Sequence, residues 1–568
     1  MERSRRRGLA LALACAPALL GADADLILHN GKIVTADGKF SVAQAVAVKD
    51  GRITAVGSNQ QVLRERGART EVVDLTGRTV LPGLIDSHVH PIGAGLSEYR
   101  RPVPNIDSFA AAQRFITEQA KTTPKGQWIV IPRTFPTRLA EMRMPTREVL
   151  DVAKDHPVMF DASYVVIVNS MALKVSGIDR DTPNPPGGEI VKDKNGEPNG
   201  ILKNAQRLLK GIRGADRFTE AERLDALDGM LKRYVAAGLT SVIDRAISLQ
   251  DIALYEKLRK KGRLPLRVVL TWRPDASGPT ADLVKLVEQA PNPGGDDWLK
   301  LGIFKLTLDG GMTIGTAFQR APYGAFGAQL YGKTDPDDRG QLFIDAVKLR
   351  TVLGAAHAKG FSLTAHSQGG GAIDALLDAF EAIDRKLPIA PSRSHLMHAS
   401  FQSPDALNRT KKLGVLADVQ AAWLYLDGPA LTKVFGEEGM KYFFPLRSYK
   451  EAGVVFAGGS DHMIGHDKNR ATNPYNPFMG MWTSVTRKTT AGTVVHPEQK
   501  ISRADALRSY TINGAILAGA ETVKGSIEPG KLADMVVIDR DYMTCPEDEI
   551  RAIEPLTVYI NGKKAWSR

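Results

Sequence analysis

Apolar, strand-like runs alternate with amphipathic helical stretches through the long middle of the chain, and this alternation constrains the fold more than any other feature. Strands are predicted at 266–270, 301–306, 362–365, 413–419 and 454–457. Helices are predicted at 221–237, 344–359 and 372–384. Alternation of this kind favours a parallel sheet, and a chain of 568 residues leaves room for an α/β fold of the (β/α)₈ TIM-barrel class with insertions.

Both ends of the chain predict short β-strands instead. The dipeptides Asn30-Gly31, Asp50-Gly51 and Asn561-Gly562 separate short apolar runs there, which is typical of tight hairpins. We therefore expect one small β domain assembled from both termini, residues 25–80 together with 516–568.

The barrel is predicted over residues 81–515, with one interruption. Residues from about 95 to 215 fit the alternation poorly and carry turns rich in Pro, Gly and Asn, such as 182–188. These residues predict an inserted subdomain that covers the barrel mouth.

Composition excludes several classes of protein. Hydrophobic residues make up 43% of the chain and charged residues 24%, which is typical of a globular protein and not of a disordered, collagen-like or coiled-coil one. The net charge of +12 is spread along the chain, so we expect no nucleic-acid partner. Two cysteines, Cys15 and Cys545, are too few for a disulfide scaffold or a cysteine-ligated metal.

The first 24 residues predict a secretory signal peptide. Four arginines lie among residues 3–7, an apolar stretch covers 8–20, and Ala22-Asp23-Ala24 offers a small-residue cleavage site. The arginines also resemble a twin-arginine signal, and a buried N-terminal helix is the alternative. The apolar stretch is too short for a stable membrane anchor, so we expect a periplasmic or secreted protein with no membrane insertion after cleavage.

Two histidines at a strand end are the sharpest chemical signal. His88 and His90 follow the apolar run 81–85. Residues two apart on a strand point to the same face, so both imidazoles can reach one ion. Imidazole pairs suit divalent zinc, nickel, iron or manganese.

Further ligand-type residues follow later apolar strands. His366, His398 and Asp461 each come at the tail of such a run. The carboxyl ends of barrel strands meet at one face, so these residues are predicted to converge with the first two histidines on a metal. Lys305 interrupts another apolar strand. It is either paired with an inner carboxylate or carboxylated by CO₂ into an anionic bridge between two cations.

Ordered motifs along the mature chain resemble those of the amidohydrolase superfamily, specifically amidohydrolase family 3. They are Asn30-Gly31-Lys32-Ile33, residues 81–91, Lys305 with Asp309-Gly310, His366 with Gly369, His398-Ala399, Gly459-Ser460-Asp461, Asn476-Pro477, residues 510–515 and residues 525–534.

The resemblance implies a distorted (β/α)₈ barrel and a β-sandwich domain built from both chain ends. It also implies a centre of one or two divalent metals, zinc being expected, held by six residues in this sequence: His88, His90, Lys305, His366, His398 and Asp461. It favours the carboxylated form of Lys305. A homodimer is compatible with it.

Three positions depart from the family pattern. Tyr164 stands where relatives have a histidine, Asn204 where they have a glutamate, and Gly370 where they have an aspartate. The chemistry is expected to survive these changes, whereas the substrate can differ. Tyr164 is either a hydrogen-bond donor to a developing oxyanion or a packed lid aromatic.

These observations predict an exported metal-dependent hydrolase that cleaves a C–N bond of a small-molecule amide other than a peptide. Activated water would attack the carbonyl, and Asp461 would act as general base. The same centre could instead serve an esterase, a lactonase or a deaminase, because fold does not fix function. A degenerate barrel that binds a metabolite and acts in regulation is the alternative outside the enzymes.

Overall fold

The structure is a computed structural model that describes residues 23–185, 187–212, 218–333, 335 and 337–568. The strands of these residues are, in chain order, β1 (Leu26–His29), β2 (Lys32–Val34), β3 (Val42–Ala43), β4 (Ala45–Lys49), β5 (Arg52–Gly57), β6 (Glu71–Asp74), β7 (Thr79–Pro82), β8 (Leu84–Val89), β9 (Ile129–Ile131), β10 (Val158–Ala162), β11 (Val165–Val168), β12 (Glu189–Lys192), β13 (Pro198–Lys203), β14 (Leu239–Ile247), β15 (Arg267–Trp272), β16 (Gly294–Gly295), β17 (Leu299–Thr307), β18 (Ser362–Ser367), β19 (His395–His398), β20 (Leu416–Val419), β21 (Phe456–Gly458), β22 (Met535–Ile538), β23 (Pro555–Ile560) and β24 (Lys563–Ser567).

The α-helices of the same residues are α1 (Asn59–Val62), α2 (Pro91–Ser97), α3 (Phe109–Thr122), α4 (Arg147–Leu150), α5 (Ser170–Ser176), α6 (Glu220–Ala236), α7 (Leu249–Lys260), α8 (Thr280–Gln289), α9 (Gly324–Tyr331), α10 (Ala346–Ala358), α11 (Gly370–Asp384), α12 (Pro404–Lys412), α13 (Ala422–Met440), α14 (Leu446–Ala452), α15 (Pro477–Thr486), α16 (Arg503–Ser509) and α17 (Ile512–Leu517). No helix within the described ranges is long and apolar enough to cross a membrane.

A nearly closed parallel barrel forms the centre of the molecule. Within the described residues its eight strands follow the order β8, β14, β15, β17, β18, β19, β20, β21, and each pairs with its neighbour in parallel. A bridge between Val89 and His462 joins the last strand region to the first. The barrel strands are buried almost throughout, as expected for strands covered on both faces, and this explains their continuous apolar sequence.

The alternation of strands and helices therefore predicted the barrel correctly, although several boundaries shift. The strand predicted at 413–419 begins only at Leu416, because Leu413 is the C-cap of α12 and Gly414 turns the chain at φ +64°. A left-handed residue directly after a helix is a common way to end it. The strand predicted at 454–457 likewise becomes β21, which starts two residues later at Phe456.

The two ends of the chain form two sheets. In the described residues these sheets have the orders β5-β4-β1-β6 and β24-β23-β22-β7-β2-β3. Leu26 and Val46 from the first sheet share one apolar core with Ile33, Val80 and Met535 from the second. Strands from residues separated by most of the chain thus pack together, and the exact domain boundaries at 80 and 516 stay a prediction.

Another sheet lies between the first and second barrel strands in sequence. Its order, in the part of the chain that the structure describes, is β12-β13-β11-β10-β9. A separate apolar core that includes Ile131, Phe160 and Ile167 holds this sheet together. It falls inside the insertion predicted from about 95 to 215, and its β10–β11 turn reaches a cavity at the carboxyl ends of the barrel strands. Most of the predicted signal peptide, residues 1–22, lies outside the described residues.

A buried ion pair connects the barrel with the terminal sheets. Arg267 opens β15, and Asp534 directly precedes β22. The Arg267 Nε and Nη2 atoms donate to the two carboxylate oxygens of Asp534 at 2.6 and 2.9 Å, and the side chains are only 1% and 5% exposed. The pair accounts for the aspartate in the motif Leu532-Ala533-Asp534.

We expect Asp534→Asn to lower the free energy of unfolding by about 3–5 kcal/mol, because it leaves the buried Arg267 charge without its counter-ion. Urea unfolding followed by circular dichroism measures the change. Glu118→Gln is the matched control, since it removes an exposed partner of Lys121 and should cost below about 1 kcal/mol. Equal losses of unfolding free energy in the two variants would show that the buried pair stabilises the fold no more than an exposed pair does.

Candidate active site

A cavity of about 820 Å³ opens at the carboxyl ends of the barrel strands. Six of the residues that the sequence predicts for the site line it: His90, Tyr164, Lys305, His366, His398 and Asp461. The seventh, His88, is fully buried against them, with its ring centroid 5.3 Å from that of His90 and 4.8 Å from that of His398. The structure therefore brings all the predicted site residues together.

His88 and His90 converge on one carboxylate, as their spacing predicts. His88 lies on β8, and His90 is the N-cap residue of α2. The Nε2 atoms of both rings lie 3.1 Å from Oδ1 of Asp461. Asp461 lies in the segment that follows β21. A hydrogen bond holds this segment against β8, because the backbone amide of Asp461 donates to the backbone carbonyl of His88 at 2.7 Å.

The other two histidines stand on neighbouring strands. His366 lies on β18 and His398 ends β19, and their ring centroids are 4.5 Å apart. Ligand atoms of His88, His398 and Asp461 all lie within 4.8 Å of one another. Trp423 of α13 stacks on His398, with ring centroids 5.2 Å apart, and forms part of the cavity wall.

Polar partners fix the orientation of three histidine rings. The Nδ1 atoms of His88, His366 and His398 lie 2.8, 2.9 and 2.8 Å from a carboxylate or amide oxygen. These oxygens belong, in the same order, to Asp418, Asp309 and Gln420. Each ring that hydrogen-bonds through Nδ1 keeps Nε2 for a metal, which is the usual arrangement around metal-binding histidines.

Asp418 and Gln420 escaped the sequence analysis. Asp418 lies within β20 and is fully buried there, and Gln420 follows the strand. The available signal was an aspartate in an otherwise apolar strand, because a buried carboxylate needs a partner. Arg245 also contacts Asp418, at 3.3 Å. Burial alone would raise the pKa of Asp418, but Arg245 and His88 outweigh it and hold that pKa below its usual range.

The donor set fits a divalent cation. His88 Nε2 is buried without a hydrogen-bond partner, although it lies next to the Asp461 oxygen. Burial lowers the pKa of His90 to about 4 and that of His398 well below its usual value, so these rings are neutral and offer lone pairs. Asp418 and Asp461 raise the pKa of His88 against the effect of burial, so their negative field attracts a positive charge to this point.

Lys305 is a buried lysine that forms no ion pair with any described residue, although it lies in the field of Asp461 and Asp418. Its side chain on β17 is 4% exposed, and its ammonium nitrogen forms no hydrogen bond or ion pair with any residue of the described ranges. Burial, aided by the charge of Arg273, lowers its pKa to about 7. The structure therefore shows no salt bridge between Lys305 and an inner carboxylate, which was one of the two alternatives for this residue. A lysine with a lowered pKa has a reactive neutral fraction near neutral pH.

Two of the site residues occupy a strained backbone conformation. His398 has φ +64° and Asp461 has φ +54°, both in the left-handed region that side chains other than glycine rarely adopt. Such strain costs on the order of 1–3 kcal/mol per residue and is kept where the surrounding fold needs a particular side-chain direction. Here it places both side chains at one point.

Tyr164 reaches the cavity from the inserted sheet. It occupies the tip of the tight turn between β10 and β11, where Ser163 has φ +77° and its amide donates to Asp161 Oδ1 at 2.7 Å. Its ring centroid lies 6.1 Å from that of His366. Burial raises the pKa of Tyr164 to about 12, so its hydroxyl keeps its proton. The backbone amide of Asn204 donates to the backbone carbonyl of Tyr164 at 2.7 Å. Gly370, the third position that departs from the family pattern, lies at the start of α11.

Fold and site together define a barrel protein of the amidohydrolase type, in which histidines, a lysine and an aspartate meet at the carboxyl ends of the strands. The sequence profile of the amidohydrolase family matches residues 71–565. The chain belongs to this family, as its motifs indicated.

Curated relatives resemble the chain over nearly its whole length. The N-substituted formamide deformylase of Arthrobacter pascens is 32% identical over 559 residues, which cover 96% of this chain and 98% of the relative. The putative amidohydrolase YtcJ of Bacillus subtilis is 27% identical over 556 residues, covering 95% and 99%. Among solved structures, an uncharacterized metal-dependent hydrolase from Pyrococcus furiosus has a TM-score of 0.66 at 23% identity, covering 91% of this chain and 100% of that one, and it supports the fold.

Proposed function

We propose that the protein is a metal-dependent hydrolase that cleaves a C–N bond in an amide or a related carbonyl compound other than a peptide. The observation that carries this proposal is the convergence of His88, His398 and Asp461 within 4.8 Å at the base of a cavity. Family membership and the similarity to a protein named as a formamide deformylase favour an amide over other carbonyl substrates.

The residues that would hold metal are the six already described, His88, His90, Lys305, His366, His398 and Asp461. Their imidazole and carboxylate donors suit zinc, and one or two ions per chain are compatible with the set. When bound, such an ion supplies Lewis acidity that polarises the carbonyl and lowers the pKa of water.

We propose that Asp461 moves the proton. Burial would raise the pKa of Asp461, but His88 and His90 outweigh burial and keep the carboxylate ionised, which is the form that a general base requires. In the proposed reaction Asp461 takes a proton from the attacking water while the C–O bond forms. It then delivers that proton to the nitrogen as the C–N bond breaks, which releases a carboxylate and an amine.

Tyr164 is proposed to donate a hydrogen bond to the carbonyl oxygen as negative charge develops on it. The hydroxyl keeps its proton at neutral pH, and the ring stands beside His366 on the cavity wall. The substitution of tyrosine for the family's histidine would preserve a donor at this point. The packed-lid alternative predicts that removal of the hydroxyl alone, in Tyr164→Phe, leaves turnover unchanged.

A direct test combines elemental analysis with a substrate panel. The purified protein is analysed for divalent metals and then assayed on formamides, acetamides, esters, lactones and amino-substituted rings. Release of an amine together with a carboxylate supports the amidohydrolase, release of ammonia from a ring indicates a deaminase, and faster cleavage of esters or lactones indicates those activities. No metal and no turnover, even after zinc is supplied, would refute the enzyme and favour the metabolite-binding alternative.

We also propose that the protein is exported, on the strength of the arginine-rich, apolar N-terminal segment. Fractionation of the native host followed by intact-mass measurement tests this. A mature chain that begins near Asp25 in the periplasm or medium is the expected result. A full-length chain in the cytoplasm would contradict it.

A further inference from the structure

Arginines are unusually frequent around the cavity. The side chains that line it include Arg100, Arg101, Arg133, Arg138 and Arg273. Four of them have polar partners: Arg100 contacts Glu222, Arg101 contacts Gln119, Arg133 contacts Asp161, and Arg138 contacts both carboxylate oxygens of Asp427. Arg273 differs from them, because its side chain makes no hydrogen bond, ion pair or ring contact with any residue in the described part of the chain.

The barrel places Arg273 beside the candidate metal centre. Strand β15 pairs with β17 in parallel, and Trp272 is in register with Phe304. The next residues along the two strands, Arg273 and Lys305, are therefore neighbours at the carboxyl end, and both line the cavity. Pro274 follows directly and restricts Arg273 to extended backbone, which fixes the point from which the side chain starts.

The carboxylates of the cavity do not neutralise this arginine. Asp244 accepts from the Tyr255 hydroxyl at 2.6 Å, Asp251 pairs with Arg223 at 2.5 Å, and Asp461 faces His88 and His90. Asp275 lies in the electrostatic field of Arg273 but forms no ion pair with it in the described part of the chain. The Arg273 side chain is exposed and lines the space that a substrate would enter, where it is free to bind an anionic group.

A carboxylate is the chemical group that matches such a site. The planar guanidinium presents paired N–H donors that fit the two oxygens of a carboxylate, and charge-assisted bonds of this kind are about twice as strong as neutral ones. The apolar side chains of Ile92, Leu96 and Ile314 line the same cavity and can take an organic body. We propose that the amide hydrolysed here carries a carboxylate group, as an N-acylated amino acid does, and that Arg273 binds it. This inference rests on the proposed function, because it names the substrate class of the same site.

Matched probes test the inference by kinetics. N-acetyl- and N-formyl-phenylalanine, each as both enantiomers, are compared with the corresponding amides of 2-phenylethylamine, which lack only the carboxylate. We expect at least one acid to exceed its neutral partner in kcat/KM by about tenfold to a hundredfold, the range for a hydrogen bond to a charged group. Arg273→Gln should remove this preference for the acid, chiefly through KM, and Arg273→Lys should restore part of it.

Binding provides a readout that does not depend on turnover. Calorimetry with the same acids and neutral partners is run in an Asp461→Asn background, with and without Arg273→Gln. Arg350→Gln is the control, since Arg350 is an exposed arginine of α10 that does not line the cavity. Selective binding of an acid that Arg273→Gln abolishes supports the inference even if no amide is hydrolysed.

Several results would overturn it. One is that the neutral partners are hydrolysed or bound as well as the acids. Another is that the preference for acids survives Arg273→Gln, or that it falls equally in Arg350→Gln. Failure of every acid to bind at millimolar concentration would also count against it. Failure of the proposed function gives a different result, because then neither the acids nor the neutral partners are hydrolysed. The calorimetry still shows whether the protein binds the acids in preference to the neutral partners.

Discussion

Asp461→Asn is expected to lower kcat on the best amide of the panel by about 10²- to 10⁴-fold, the range for loss of a positioned general base. The asparagine side chain keeps the shape and one oxygen of the aspartate but cannot accept the proton of the attacking water. The effect should fall on kcat more than on KM, because proton transfer contributes in the transition state.

The metal content of the variant separates the two roles of this residue. Retained metal with lost turnover indicates a general base, whereas joint loss of metal and turnover indicates that the carboxylate is chiefly a ligand. Asp405→Asn is the control, because Asp405 is an acid in the first turn of α12, outside the cavity. A variant of Asp461 that keeps both its metal and its turnover would exclude the proposed role.

Local sequence was sufficient to predict histidines that the barrel brings together at or directly beneath the cavity. His88, His366 and His398 each end an apolar strand, and parallel strands that form one barrel must present those ends on one face. The prediction needed only the periodicity of strands and the chemistry of the side chains. It did not need to know which strand lies beside which.

The supporting residues could not be found in that way. Asp418 contacts His88 across a sequence separation of 330 residues, and the contact exists only because the last strands of the barrel return to the first. Arg273 is equally inconspicuous in the sequence, since an arginine before a proline is ordinarily solvent-exposed, and the Arg273 side chain is indeed exposed. Its meaning depends on the register between β15 and β17 and on the absence of a carboxylate partner among the described residues. Spatial pairing, which local patterns do not encode, decides both cases.

The backbone at His398 and Asp461 was also beyond the sequence analysis. Positive φ is commonly predicted from glycine or asparagine, and neither position carries one. The conformation is imposed by the tertiary contacts that hold the two residues, such as the bond between the His398 ring and Gln420 at 2.8 Å. Local rules fail here at the functional site itself, where strain is most often retained.

In the proposed metal centre, we expect the chemical form of Lys305 to set how many ions are held. As an ammonium group it would repel a cation, but as a carboxylated side chain it would carry two oxygens and a negative charge. The nitrogen has no partner in the described ranges, and its pKa is lowered to about 7. We therefore expect Lys305→Ala to reduce the metal content from about two ions per chain to about one or fewer. Turnover should fall by about 10³-fold, since an ion that polarises the carbonyl contributes several kcal/mol.

Elemental mass spectrometry, paired with ¹³C NMR of protein equilibrated with ¹³C-bicarbonate, measures both parts of this expectation. A carbamate resonance that is present in the native protein and absent from Lys305→Ala would identify the modified lysine. Lys300→Ala is a close control, because Lys300 lies on the same strand but donates to the Ala518 carbonyl at 3.2 Å and does not line the cavity. About one ion per chain that is insensitive to Lys305→Ala, with no carbamate resonance, would instead establish a mononuclear site and an unmodified lysine.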